Sequence, residues 1–128
     1  MAEVVCNQGL IQVASGLNGA VALIPYTWMA LGTGATAPDA ADTALETETA
    51  ATGLARAAAT CSYEASYKAK WIKAFTNTSS GTVAVREWGI HNKAAAEAND
   101  MLIHGVFAAA KNIEDLETIQ LTITATLS

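Results

Sequence analysis

The stretch Thr118-Ile119-Gln120-Leu121-Thr122-Ile123-Thr124-Ala125-Thr126-Leu127 decides the fold class. Ile119, Leu121, Ile123, Ala125 and Leu127 alternate with Thr118, Gln120, Thr122, Thr124 and Thr126, a period of two that belongs to a strand. Strict alternation sends one set to a buried face and the other to a wet or contact face. Working back toward the N terminus, strands are expected near 54–64, 67–76, 82–91 and 101–110, with the last near 117–127. In 67–76, Tyr67, Ala69, Trp71 and Phe75 share one face, interrupted by Lys73. Asn77-Thr78-Ser79-Ser80-Gly81 reads as a hairpin-like turn, 92–100 as a second turn with one helical turn at Ala94-Ala95-Ala96, and 111–115 as a third. Short strands at this spacing indicate a mostly β, single-domain antiparallel sandwich or jelly-roll-like sheet.

The first half of the chain reads differently. Val5, Leu10, Ile11, Val13, Ala14 and Leu17 fall mainly at three- and four-residue spacings, which predicts a short amphipathic helix within residues 4–17, ended by Gly16 and Asn18-Gly19. Pro25 to Leu31 reads as a strand. Residues 32–53 are rich in Gly, Ala, Thr and acids and poor in large apolar groups. A connection of that length is usually functional or disordered, and it is expected to act as an extended arm laid over a neighbouring subunit. The expected organisation is one domain over 1–128, with an N-terminal segment (1–20), the arm (32–53) and an antiparallel core (54–128).

Composition narrows the function classes. The 128 residues carry 7 basic and 12 acidic side chains, a formal charge of −5, which argues against nucleic acid as a partner. Of the chain, 28 residues are Ala and 15 Thr, about a third. Ala supplies little burial, since the hydrophobic gain scales at roughly 25 cal/mol per Å². Large core side chains are therefore scarce, and support from neighbouring subunits is expected, with a trimer as the expected state. No charge occurs between Glu3 and Asp39. Polar residues, glycines and Pro25 break that stretch too often for a membrane span, and the acidic start does not suit a secretory signal. Burial against another protein is the remaining reading.

Candidate chemistry is thin. His91 and His104, with Cys6 and Cys61, lack the spacing of a zinc site and read as structural histidines and free thiols, although a Cys6–Cys61 disulfide stays open. Asp39, Asp42, Glu46 and Glu48 do not match a calcium loop and read as a solvated acidic loop. Lys68, Lys70 and Lys73 fit acidic neighbours or protection of a sheet edge better than a nucleic-acid surface. No nucleophile elbow, phosphate loop, dinucleotide fingerprint or zinc-protease motif is present. A non-enzymatic protein without cofactor or metal is expected.

The order of elements resembles small structural proteins of tailed-bacteriophage virions. Ala30-Leu31-Gly32-Thr33-Gly34-Ala35-Thr36-Ala37-Pro38, then Asp42-Thr43-Ala44-Leu45 and Glu48, is similar to that family's aliphatic strand, G-T-G-x-T-x-P and D-T-A-L signature, with Arg56 in its following Arg-bearing strand. Arg86-Glu87-Trp88-Gly89-Ile90-His91-Asn92, Met101-Leu102-Ile103-His104-Gly105-Val106-Phe107, Ile119-Gln120-Leu121-Thr122-Ile123 and Val4-Val5-Cys6-Asn7-Gln8-Gly9-Leu10 look like its other blocks. His91 stands where Phe is usual and His104 where Arg is common; neither breaks the alternation. The resemblance implies a capsid decoration or cement protein on the outer surface of the virion, contacting the major capsid protein and copies of itself, with a tail, baseplate or fibre-associated protein as the alternative. Contact residues are expected at Val4, Val5, Leu10 and Ile11, and in the arm at Thr33, Thr36, Pro38, Asp39 and Leu45. Trp28, Trp71, Trp88 and Phe107 are assigned to the core or a subunit interface.

Overall fold

The computed structural model describes residues 2–96 and 100–127. The chain runs through β1 (Ala2–Val5), α1 (Asn7–Leu17), β2 (Trp28–Gly32), β3 (Ala57–Ala58), β4 (Thr60–Glu64), β5 (Lys68–Thr76), β6 (Val83–His91), β7 (Met101–Ile113) and β8 (Thr118–Thr126). Two antiparallel sheets result, in the orders β1-β7-β6-β2-β3 and β4-β5-β8. Their inner faces enclose one core, in which Met29, Leu31, Trp71, Phe75, Trp88, Ile90, Ile103, Leu121 and Ile123 meet. The architecture is a single-domain antiparallel β-sandwich with a short N-terminal helix. The alternation of β8 is obeyed, with Leu121 and Ile123 buried and Thr118, Gln120, Thr122, Thr124 and Thr126 exposed.

Two aromatic anchors lock the sheets. The Trp71 indole N–H donates to the Tyr26 carbonyl at 2.6 Å, so its one polar group is satisfied inside the core. Trp88 lies across Gly105, where even a methyl group would sit within the indole ring. Trp28 is half-buried, and Phe107 packs partly buried against the same core.

Several boundaries differ from those read along the sequence. Val4 and Val5 belong to β1, paired with β7, and the helix begins only at Asn7. Pro25, Tyr26 and Thr27 precede the ladder of β2. The expected strand 54–64 begins as a turn with Gly53 at φ 86° and then divides at Ala59, so that β3 and β4 join different sheets. The turn 77–81 is not a hairpin within one sheet but a corner between two. The buried Asn77 side chain fixes it by donating to the carbonyls of Gly81 (2.7 Å) and Ile113 (2.8 Å). β7 continues to Ile113, which moves the third turn to residues 114–117, with Leu116 at φ 68°. Residues 94–96 bend without forming a helical turn, and the rest of that expectation, 97–99, falls outside the described residues.

The register of β6 against β7 carries the largest structural consequence. It shifts between Val85 and Glu87 and again between Ile90 and His91. Val85 lies in the core, as do Trp88 and Ile90, so the inward phase changes by one residue across Arg86. Glu87, Gly89 and His91 are thereby placed on the outer face of the larger sheet. Leu102 is the extra residue at the second shift; it sends Met101 to the same outer face, beside Cys6, Ala30 and Leu45.

Candidate functional site

Segment 32–53 does not project from the domain. It crosses the outer face of the larger sheet as a strap, returning beside β2 through Thr33 N–H to Thr47 O (2.9 Å) and Thr49 N–H to Leu31 O (2.9 Å). The reason is Glu87. Its fully buried carboxylate accepts the backbone N–H groups of Gly34 (2.9 Å), Glu46 (2.9 Å) and Thr47 (2.8 Å), and the His104 ring nitrogen Nε2 donates to it at 2.9 Å. The other ring nitrogen of His104, Nδ1, meets Asp42 of the strap at 2.7 Å. Burial alone would raise the Glu87 carboxyl, but the His104 and backbone donors outweigh it and hold it below the ordinary carboxylate range. Burial likewise opposes charge on His104, and there the hydrogen bonds and charges of Glu87 and Asp42 prevail, so its pKa is raised. An imidazolium between two carboxylates is the form in which both ring nitrogens donate.

A second network ties the strap at its other end. Arg56 forms ion pairs with Glu48 (2.7 Å) and Asp100 (2.7 Å) and donates to the carbonyls of Lys93 and Ala95. Asp100 also bonds His91 Nδ1 at 3.0 Å. Burial leads the other influences on His91 and lowers its pKa, so the neutral ring donates Nδ1–H to Asp100. Among the described residues its Nε2 has no hydrogen-bond partner, and it is shut away from solvent. Both networks hold a long connection down. His104 has neither nitrogen free for a substrate, and the Cys6 thiol is pushed up to about 11 by burial and the nearby Asp42 charge.

The acidic residues expected to form a solvated loop are thus divided. Asp42 is on His104, Glu48 on Arg56, Glu46 accepts from Ala35 N–H, and Asp39 accepts from Ala41 N–H. Among the described residues no three His, Cys, Asp or Glu side chains are placed to hold a metal. Cys6 is buried and Cys61 exposed, both as free thiols. Lys70 pairs with Glu64 at 2.8 Å, and Lys73 lies over the Phe75 ring.

The expected contact residues separate into two groups joined by Asn7 N–H to Ala40 O (2.7 Å). On the strap, Thr36 and Asp39 are exposed, Thr33 and Pro38 are half-buried, and Leu45, 7% exposed, is spent within its own subunit. At the N terminus, Val4 is half-buried while Val5, Leu10 and Ile11 are exposed. Leu17, Val21, Leu23 and Ile24 extend this apolar flank, with Ile11 at 60% and Leu17 at 80% exposure. The helix behind it has no side-chain N-cap, no acid in its first turn and no base in its last. Close packing replaces capping: Gly9 sits on Leu102, where a Cβ would approach within 2.7 Å of its Cα. An uncharged groove of about 230 Å³, lined by Val5, Leu10, Val13, Leu23, Trp71 and Leu127 among others, opens beside the flank. Among the described residues no helix is long and apolar enough to cross a membrane.

Sequence reasoning left Glu87 and Arg56 without a physical role. For Glu87 a signal existed: Val83 and Val85 lie on one phase of the alternation and Trp88 and Ile90 on the other, so a bulge with a re-aimed side chain had to fall between them. Fold and site define a class, a β-sandwich whose outer face is sealed by an ion-paired strap beside an apolar helical flank. No family model matches the chain, and no curated protein matches it.

Proposed function

We propose that this chain is a non-enzymatic structural subunit of a tailed-bacteriophage virion, a decoration or cement protein that binds the major capsid protein at the outer surface of the capsid. The observation that carries the reading is the apolar flank. Val5, Leu10, Ile11, Leu17, Val21, Leu23 and Ile24 all stand exposed within the first 24 residues, and large apolar side chains left together in solvent mark interaction sites. Repetition over a lattice converts such modest contacts into particle stability. The motif resemblance supplies the virion context.

The alternative, a tail or fibre-associated protein with a receptor contact, is favoured by Tyr63 and Tyr67, both exposed at the β4–β5 turn, where Tyr67 adopts φ 66°. Copy number separates the two. In purified particles, the band of this protein measured against the major capsid band should be near-stoichiometric. Trace abundance would favour the tail reading, and absence from particles would remove both. Ile11→Asp and Leu17→Asp, on exposed positions, should leave the fold intact and abolish attachment.

A further inference from the structure

The smaller sheet ends in an unguarded strand. β8 pairs only with β5, through nine consecutive residue pairs without a register shift, and its outer edge has no ladder partner among the described residues. The other outer strands are managed: β3 has two residues, β1 has four and carries Glu3, and β4 has five and ends in Glu64. β8 has nine residues, none of them charged, no proline and no bulge. Six of the nine are β-branched. Natural sheets avoid such an edge because its free N–H and C=O groups template another strand.

The pattern of β8 also specifies the other strand, because it is symmetric about Thr122. Antiparallel pairing of two β8 strands with Thr122 opposite Thr122 sets Leu121 against Ile123 on the inner face. On the outer face it sets Gln120 against Thr124 and Thr118 against Thr126. A one-residue slip would oppose apolar and polar side chains throughout, and a two-residue slip would forfeit part of the pairing. No like charges meet, since neither strand has any. Glu3, Val4 and Val5 of β1 lie beside Ile123–Thr126 across a cleft of about 340 Å³, and Thr122, Thr124 and Thr126 are exposed.

We propose that β8 pairs antiparallel with β8 of a second copy across a two-fold axis, merging two three-stranded sheets into one of six strands. The contact is isologous, so it closes at two copies. It is a different surface from the apolar flank and stands whether or not the virion reading does.

The test is sedimentation of the isolated full chain under reducing conditions, which removes any disulfide through Cys61. The wild type should sediment at twice its 13.2 kDa mass, a dimer in place of the trimer expected from composition. Thr122→Glu and Thr122→Lys, at an exposed position, should each sediment as folded monomers, because like charges then face each other across the axis. An equimolar mixture of the two should regain the double mass, and Ile11→Asp on the flank should keep it. A monomeric wild type at ~100 μM, an unchanged mass in either Thr122 variant, or a mixture that stays monomeric would each overturn the proposal.

Discussion

Replacing Glu87 by Gln tests whether the strap is held by charge. The substitution keeps shape and volume and changes one carboxylate oxygen into an NH₂ group. In the native protein both oxygens are acceptors: Oε2 takes Gly34 and Thr47 N–H, and Oε1 takes Glu46 N–H and His104 Nε2–H. Turned toward Gly34 and Thr47, the amide NH₂ opposes two donors; turned toward Glu46 and His104, it opposes the Glu46 N–H and can bond Nε2 only if His104 gives up its charge, and either way His104 loses its buried counter-charge. Two hydrogen bonds to a charged group at about 1.5–3 kcal/mol each, and the about 3–5 kcal/mol typical of breaking a buried ion pair, converge on a loss of about 3–5 kcal/mol. That is a large share of the about 5–15 kcal/mol that stabilises a domain. Urea unfolding should give a lower midpoint with an unchanged slope. Amide exchange should accelerate at Gly34, Glu46 and Thr47 well before the core β6–β7 pairs. A loss under about 1 kcal/mol, or strap amides that exchange as in the wild type, would refute the assignment of Glu87 as the anchor.

The two histidines should bound a stability maximum near pH 6.5. His104, raised in the fold, contributes fully below its ordinary value of 6.5 and loses that contribution as pH rises through the folded value. His91, lowered, contributes fully above 6.5 and loses it as pH falls through its depressed value. Unfolding free energies measured across pH should lose the alkaline limb in His104→Gln and the first acid limb in His91→Gln; below that, Glu87 and Asp100, both depressed, supply the remaining acid loss. Gly105→Ala should displace the Trp88 indole, costing about 1–3 kcal/mol for overpacking or more, with a changed near-ultraviolet signal from Trp88. Ile123→Asp should unfold the domain, while Thr124→Asp should fold as the wild type does, both read by circular dichroism.

The fold class was legible in local pattern. The two-residue period of β8, and of β5 with Trp71 and Phe75 inward, depends only on neighbouring side chains meeting one core, so it can be read without knowing which core. The arrangement of strands in sheets was not. Ala59 looks like its alanine neighbours, yet there the chain passes from one sheet to the other. Segment 32–53 shows how composition misleads: few large apolar groups suggested a separable arm, whereas hydrogen bonds to one distant carboxylate fasten it. Gly34 and Glu87 are 53 residues apart, and no local pattern joins them.

What the amino-acid order settled alone is therefore the short-range physics: a β domain, an uncharged stretch over residues 4–38, and an uncharged alternating last strand. Tertiary structure alone decided that His104 sits between two carboxylates, that Leu45 is buried by its own chain, and that Leu17 and Ile11 remain in solvent. A side chain's periodicity follows from its immediate backbone, but its partner and its charge state depend on which remote segments close over it and exclude water.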